Sequence, residues 1–440
     1  MLVNSPVPRL LLLLSLLCWN SSVAAQSEEI VIHAGVLMMI PGDVSVNERS
    51  LVISGGKIQA ILAGYRMPGQ DGIAEDARVI NLRDHTVMPG FMDMHTHLTG
   101  QRDPKANPHL WTTLMTGDHI LSSLPFLERT LLAGFTTVRN VGSYYRSILP
   151  LKRAVDKGLI PGPRIIAATG GVSATGGHGD FHGYNPEILQ SREAGVGICN
   201  GADDCRRAVR ALVKQGAEVI KITATGGVLS NTAAGVGQQL TNDEMEAIVE
   251  TAHALGRKVA AHAHEADGIN AALRAGVDSI EHGSYLNDES VELFKKSGAW
   301  LVPTLLAGVS VLEELEINSQ IPIAIQDKIR LVGPAVEEAF KRALAGGVNI
   351  AFGTDSGVSK HGQNGREFEL MVAYGMDELA AIRSATVSTA ELLGMSASIG
   401  TIEEGKMADI VAVKGDPTSD ISLLRNIQFV MKEGTVYKQE

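Results

Sequence analysis

The middle of the sequence alternates short apolar segments with longer amphipathic ones, and this alternation restricts the fold more than any other feature. The amphipathic segments, such as NDEMEAIVETAHALG and EADGINAALRAG, have helical spacing and end in Gly. The apolar segments between them have the length of buried strands, and there are eight: TVMPGFMDMH, GFTTVRNV, RIIAATGG, EVIKITAT, KVAAHAH, VDSIEH, WLVPTL and VNIAFGTD. This pattern predicts the α/β class and, within it, a (β/α)8 TIM-like barrel. A doubly wound open sheet is the alternative, although no Gly-rich dinucleotide motif follows the first strand.

Both ends of the sequence carry strand-rich patterns of a different kind. EIVIHAGVLMMI, SLVISGGKIQAI and ARVINL lie near the N-terminus, and ADIVAVKGD and IQFVMKEGTVYK lie near the C-terminus. We therefore expect a small β-sandwich domain built from both termini. Its first part is expected over 26–84 and its second over 396–440, on either side of a barrel domain over 85–395.

The first residues have the pattern of a secretory signal peptide. One Arg precedes a short apolar core, and the small residues of VAA follow it, as signal peptidase requires. The apolar run from Leu10 to Cys18 is too short to span a bilayer. We expect a signal peptide over 1–25, cleaved after Ala25, with no stable membrane anchor, and hence a secreted or periplasmic protein. An uncleaved anchor is the alternative.

Cleavage at that point would leave Cys199 and Cys205 in the mature chain. In an oxidising compartment the stretch CNGADDC could close a short disulfide loop before a helix. Two unpaired thiols in a surface loop are the alternative. With so few cysteines, a thiolate zinc site is disfavoured.

The charge balance argues against nucleic acid as a partner. The sequence has 49 Asp and Glu against 38 Lys and Arg, for a net charge of -11. Binding to a phosphate backbone needs clustered Lys and Arg, and the sequence contains no such cluster. We expect a small-molecule or peptide partner instead.

Residues of metal-binding and proton-transfer types fall where the predicted strands end. Because side chains two apart on a strand point to the same side, both histidines of HTH can face the barrel mouth. Each residue also has a structural interpretation, such as a core histidine or a capping aspartate. Their gathering at one end of one barrel favours a functional site. The residues are His95, His97, Lys221, His262, His264, His282 and Asp355.

Lys221 is the unusual member of this set. An ammonium group has no lone pair and cannot bind a metal ion, and burying it unpaired in EVIKITAT would be costly. One interpretation is a salt bridge across the barrel mouth, with Asp355 as partner. The other is a neutral amine that captures carbon dioxide, and the resulting carbamate could bridge two metal ions.

The segments PGFMDMHTHL, VIKITATGG, VAAHAH, SIEHG and FGTDSG resemble the amidohydrolase superfamily, in the branch with two metals and a carboxylated lysine. Within it, the chain is most similar to the imidazolonepropionase-related peptidases. That group includes Xaa-Pro dipeptidases, carboxypeptidases and amidases that hydrolyse ochratoxin. The resemblance runs from about residue 28 to the C-terminus and includes the split β domain.

The resemblance implies a centre of two divalent metal ions. Imidazole and carboxylate ligands suit zinc best, while manganese and cobalt remain open. His95, His97 and Asp355 would hold the more buried ion, and His262 and His282 the second. Lys221, as N6-carboxylysine formed with CO2, would bridge them.

The resemblance also implies roles in catalysis. A metal-bridging hydroxide would attack the substrate carbonyl, with Asp355 carrying the proton to the leaving nitrogen. His178 and His264 are candidates for holding the scissile carbonyl or a substrate carboxylate. His182 and His361 are further substrate-binding candidates. Asp93, on the same face as His95, is expected to orient a ligand.

We therefore expect a metal-dependent enzyme that hydrolyses the amide or peptide bond to a C-terminal amino acid. Dipeptidase, carboxypeptidase and ochratoxin A hydrolase activities all fit that chemistry. A deaminase or cyclic-amide hydrolase of the same superfamily is the alternative. A non-catalytic scaffold is disfavoured, because every ligand position is filled. Related barrels often assemble, so a homo-oligomer is open.

Overall fold

The computed structural model describes residues 28–103, 110, 113–182, 195–230, 235–318 and 321–440. The expected signal peptide over 1–25 lies outside these residues.

The strands, in chain order, are β1 (Ile30–Leu37), β2 (Val46–Ser54), β3 (Lys57–Ala63), β4 (Arg78–Pro89), β5 (Phe91–Thr96), β6 (Phe135–Asn140), β7 (Arg164–Ala167), β8 (Gly171–Ala174), β9 (Ile198–Cys199), β10 (Val219–Thr223), β11 (Lys258–Ala263), β12 (Ser279–His282), β13 (Trp300–Val302), β14 (Asn349–Ile350), β15 (Ile410–Lys414), β16 (Phe429–Lys432) and β17 (Thr435–Gln439). The helices are α1 (Thr116–Leu132), α2 (Tyr145–Asp156), α3 (Ala202–Gln215), α4 (Asn242–Ala254), α5 (Ala266–Ala275), α6 (Asp288–Ser297), α7 (Leu305–Ile317), α8 (Ile323–Ala345), α9 (Arg366–Ala373), α10 (Glu378–Ser384) and α11 (Val387–Leu393), with a short 3₁₀ helix over Ile421–Arg425.

Strands from both termini form one sheet of seven, in the order β17-β16-β15-β4-β1-β2-β3. The two ends of the chain meet where β4 and β15 pair antiparallel, with Val87 opposite Ala412. Apolar side chains from both ends, among them Ile32 and Phe429, pack together on this sheet. The expected β-rich domain built from both termini is therefore confirmed. The strand β4 runs on to Pro89 and leads directly into the barrel.

The predicted barrel is confirmed, and its strands are β5, β6, β7 with β8, and β10 to β14. The third barrel strand is interrupted, and its two parts are β7 and β8. The end of β7 is joined to the start of β10 by a hydrogen bond from Glu218 N to Ala167 O (2.8 Å). The first and last strands close the ring, because Met94 N donates to Phe352 O (2.9 Å). Parallel strands under helices are buried on both faces, as the fully buried strand β10 illustrates.

The helices have local sequence reasons for where they begin and end. The helix α4 begins with a capping box, in which the Glu244 side chain accepts a hydrogen bond from Thr241 N (2.8 Å). The helix α3 ends at Gly216, whose φ of 111° lies in the left-handed region that glycine adopts at low cost. Among the described residues, no helix is long and apolar enough to cross a membrane.

A disulfide joins Cys199, at the end of β9, to Cys205 in the first turns of α3. Both cysteines are fully buried and pack with Val209 and Leu212 of the helix. The bridge therefore ties the start of α3 to the strand that pairs with β8.

Replacing Cys199 and Cys205 together with Ala should lower the free energy of unfolding by about 2 to 3 kcal/mol, because a short covalent loop no longer restricts the unfolded chain. Denaturant unfolding of the two proteins measures the difference. As a control, thiol alkylation of denatured wild-type protein should label neither cysteine before reduction and both afterwards. Labelling without reduction would contradict the bridge.

Candidate metal centre

Polar side chains from four strands, and from the segments that follow strands, converge on one cavity of about 340 Å³ at the carboxyl ends of the barrel strands. This is the end at which barrel enzymes place their active sites. The ionisable residues that line the cavity are His95, His97, His178, Lys221, His262, His264, His282 and Asp355. The structure therefore brings together every residue for which the sequence predicts a metal-binding role.

His95, His97 and Asp355 form a compact group with the geometry of a metal site. One ligand atom from each lies within 4.8 Å of the others. Asp355 Oδ1 is 3.2 Å from His97 Nε2 and 3.5 Å from His95 Nε2. Two imidazoles and a carboxylate at this spacing suit a divalent transition metal such as zinc.

A second group of imidazoles lies beside this triad. The ring of His282 is 4.7 Å from that of His262 and 5.0 Å from that of His264, measured between centroids. The same ring is 5.0 Å from His95, so His282 connects the two groups. Because both members of the HAH pair approach His282, the choice of His262 as the ligand stays a prediction.

Lys221 lies in the middle of β10 and reaches the same cavity. Its Nζ is buried and has no hydrogen-bond partner among the described residues. Burial lowers the pKa of this amine to about 8, although Glu281 and Asp355 oppose the shift. A buried cation without a partner is costly, so this position favours the neutral amine more than an exposed lysine would.

Burial also favours the neutral form of three of the imidazoles. It lowers the pKa of His95, His262 and His282 well below the usual histidine value, and the charges of Lys221 and of neighbouring rings lower it further. Burial opposes ionisation of Asp355, but His95 and His97 outweigh it and lower the pKa of that carboxyl. At His97 burial is outweighed by Asp355, whose hydrogen bond and charge raise the pKa of the ring. Three neutral imidazoles and an ionised carboxylate have the protonation states that metal binding needs, and His97 would lose its proton on binding.

The ring nitrogens that face away from the cavity have hydrogen-bond partners. His97 Nδ1 donates to Gly142 O (2.8 Å), and His282 Nδ1 lies 2.7 Å from Thr304 Oγ1. Such contacts orient ligating histidines and select their tautomers. Thr304 has no sequence signal of its own, since it lies within the predicted strand WLVPTL and is not a residue of a metal-binding type.

Asp93 supports the triad through the backbone. It accepts hydrogen bonds from His95 N (3.0 Å), Thr354 Oγ1 (2.6 Å) and Asn364 Nδ2 (2.7 Å). Burial raises the pKa of its carboxyl to about 6, despite these donors. Asp93 thus ties β5 to the segment that carries Asp355, and the role in orienting a ligand that the sequence suggests for it stays a prediction.

The four histidines predicted to bind substrate are placed differently. His178 and His264 line the cavity, where His178 bonds to Ser230 Oγ and His264 Nδ1 lies 2.8 Å from Ser284 Oγ. His182 and His361 lie outside the lining. His182 Nε2 donates to Gly177 O (2.9 Å), and His361 Nε2 donates to Gly100 O (2.9 Å).

The backbone adopts the left-handed region at several non-glycine residues around the barrel mouth. These are Thr169 (φ 64°), His282 (φ 72°), Thr304 (φ 50°) and Asp355 (φ 55°). Such conformations cost energy and persist only where surrounding contacts hold them, which is common at functional sites. Three of these residues, His282, Thr304 and Asp355, line the cavity, a placement that strand periodicity does not predict.

The wall of the cavity formed by α7 and α8 is apolar. We call it the apolar wall, and its side chains are Ala307, Val311, Ile329, Val332 and Val336. These residues are buried, so the cavity joins a polar side of ionisable residues to an apolar side from the two helices. Such a combination is typical of sites for small organic ligands.

Comparison with known proteins agrees with this geometry. Residues 86–438 match the amidohydrolase family, whose members typically bind metal. An ochratoxinase from Aspergillus niger is 31% identical over 93% of this chain and 86% of its own length. An imidazolonepropionase from Symbiobacterium thermophilum is 26% identical over 87% of this chain and 90% of its own.

Solved structures agree as well. The crystal structure of a Xaa-Pro dipeptidase with methionine bound in the active site superposes on this structure with a TM-score of 0.88. The two sequences are 40% identical, and the match covers 93% of this chain and 100% of the dipeptidase chain. The resemblance to this superfamily predicted from the sequence is confirmed. The chain belongs to the amidohydrolase family and is a hydrolase that acts on C–N bonds.

Proposed function

We propose that the protein hydrolyses the amide or peptide bond to a C-terminal amino acid, as a dipeptidase, a carboxypeptidase or a hydrolase of ochratoxin A. The observation that carries this proposal is the buried, unpartnered amine of Lys221 in the cavity that His95, His97, His262, His282 and Asp355 also line. A dipeptidase and an ochratoxinase among the similar proteins support it.

The donor set fits two divalent cations. His95, His97 and Asp355 would hold one ion, His262 and His282 the other, and Lys221 carrying a CO2-derived carbamate would be their common ligand. Imidazole and carboxylate donors favour zinc. When bound, such ions lower the pKa of water and polarise a carbonyl group.

The side chains that line the cavity then have separate tasks. Asp355, held ionised by its histidine neighbours, accepts the proton of the attacking water and delivers it to the leaving nitrogen. His178 and His264 hold the scissile carbonyl or the carboxylate of the substrate. The apolar wall binds an apolar part of the substrate and excludes water from the reaction.

A specific observation favours one alternative, a cyclic-amide hydrolase. An imidazolonepropionase is among the similar proteins, and its match covers 87% of this chain. Imidazolonepropionase resembles the branch with a single metal ion, which does not need a bridging lysine. Lys221 therefore favours the two-metal peptidase or amidase chemistry. The buried disulfide supports our further proposal that the protein works in an oxidising, secreted or periplasmic location.

Zinc-loaded protein should release a free C-terminal amino acid, without ammonia, from at least one of three substrate classes: dipeptides, N-acyl amino acids and ochratoxin A. Chromatography of the products measures this. Lys221→Ala should abolish turnover and reduce bound metal, because the common ligand is lost. Ammonia release that survives Lys221→Ala would indicate a deaminase, and no release of an amino acid from any class would refute the peptidase proposal.

Asp355→Asn should leave bound metal largely intact and lower kcat by about 10²- to 10⁴-fold, the usual contribution of general acid–base catalysis. Asparagine keeps an oxygen towards the histidines but cannot carry the proton. Metal content per chain and steady-state kinetics are measured on the same preparation. Undiminished kcat in this variant would rule out proton transfer by Asp355.

Val332→Asp should lower kcat/KM for substrates with apolar side chains by about tenfold or more, since a charge would face the apolar part of the substrate. Leu331→Asp is the matched control on the same helix, because Leu331 is 59% exposed while Val332 is 4% exposed and lines the cavity. Equal losses in the two variants would show that the apolar wall does not select substrate.

A further inference from the structure

A buried carboxylate next to the metal centre has no part in the function proposed so far. Glu281 on β12 is fully buried and does not line the cavity. Its Oε1 accepts hydrogen bonds from Arg139 Nη2 (2.7 Å) and Ser279 Oγ (2.6 Å). Its Oε2 lies 2.8 Å from His95 Nδ1. The carboxylate therefore joins an arginine on one side to a predicted metal ligand on the other.

The Arg139 side chain is also fixed by hydrogen bonds to residues other than Glu281. Its Nε donates to Met94 O (2.7 Å) and its Nη1 to Ser279 Oγ (3.1 Å), and the side chain is almost completely buried. Buried ion pairs of this kind often add little to stability compared with apolar side chains of similar volume. The burial of Arg139 and Glu281 is therefore better explained by a role in the site than by a gain in stability.

We propose that Glu281 is a positioning residue that selects the tautomer of His95. A carboxylate that already accepts from Arg139 and Ser279 can only accept from His95, so the imidazole proton is held on Nδ1. The lone pair is then on Nε2, which lies 3.5 Å from Asp355 Oδ1 on the side of the proposed metal. This inference rests on the metal centre proposed above.

Two of the other predicted ligands, His97 and His282, have neutral partners at the same position. His97 Nδ1 bonds to a backbone carbonyl and His282 Nδ1 to the hydroxyl of Thr304. A hydrogen bond to an ionised acceptor is about twice as strong as one to a neutral acceptor. Glu281 therefore acts on one of the two proposed metal positions, the one that His95 shares with His97 and Asp355.

The substitution Glu281→Gln separates tautomer selection from packing, because the two side chains have nearly the same shape. Arg139 can only donate hydrogen bonds, so it holds the amide oxygen of the glutamine on its own side. The amide NH2 then faces His95 Nδ1, which must become the acceptor. The proton moves to Nε2, and that nitrogen can no longer bind a metal ion.

The test is a zinc titration of metal-free protein in competition with a chelator. Glu281→Gln should weaken one of the two binding steps by about 10- to 100-fold, the usual effect of losing a partner of a ligating histidine. The other step should stay near the wild-type value. Unchanged affinity in both steps would overturn the proposal. Failure of wild-type protein to bind zinc would instead refute the proposed metal centre itself.

The matched control is Asp409→Asn, which also neutralises a buried carboxylate paired with an arginine. Asp409 accepts from Arg164 Nη1 (2.8 Å) and from Glu433 N (2.8 Å), between the barrel and the terminal sheet, and it does not line the cavity. It should lower the melting temperature without changing either zinc affinity. Equal weakening of zinc binding in both variants would mean general destabilisation and would overturn the proposal.

If Glu281→Gln does not fold, Ser279→Ala provides the second test. It removes the hydroxyl that donates to Glu281 Oε1 and leaves all charges in place. The freed carboxylate should hold His95 less firmly, so the same zinc-binding step should weaken by a smaller factor. A folded Ser279→Ala protein with wild-type affinity in both steps would overturn the proposal.

Discussion

The candidate site depends on backbone hydrogen bonds that close the barrel between its first and last strands. Asp355 N donates to His95 O (2.8 Å), and His97 N donates to Ser356 O (2.7 Å). These bonds bring a carboxylate beside two histidines that are more than 250 positions away in the sequence. The Asp93 carboxylate adds to the closure, because it bonds to the backbone of His95 and to Thr354 of the last segment. The metal triad thus follows from the strand pairing that makes the barrel.

In the closed barrel, the positive charge of Lys221 is the main electrostatic constraint on the side chains at the barrel mouth. The amine is buried among imidazoles that its positive charge also keeps neutral. Among the residues that the structure describes, Asp355 alone supplies a carboxylate to the cavity lining, while Glu281 is already paired with Arg139. The carbamate proposed for Lys221 would replace a positive charge with a negative one, and it would remove the conflict between a buried cation and a set of metal ligands. Under that proposal, one lysine would account for both the cost of the unmodified site and its relief.

The sequence predicted the fold well, because strand length, helical spacing and Gly at helix ends are local properties that survive in the structure. It also predicted which side chains meet, since residues at the carboxyl ends of parallel strands share one edge. It did not predict the partners of those side chains. Glu281 precedes His282 in SIEHG, but its bond to His95 depends on two distant strands. The left-handed backbone at Asp355 and Thr304, and the position of His361 outside the cavity, depend likewise on tertiary contacts.

The division of the cavity into a charged side and an apolar side also limits the substrates that fit. Two divalent cations carry more positive charge than Asp355 and a carbamate on Lys221 can neutralise, and neutral imidazoles contribute none. The polar side would therefore keep a net positive charge and attract an anionic group, such as the carboxylate of a C-terminal amino acid. The apolar wall of α7 and α8 has no comparable attraction for charge, because its side chains are those of Ala, Val and Ile. The substrate proposed above, with a carboxylate near the scissile amide and an apolar group beyond it, would satisfy both sides at once.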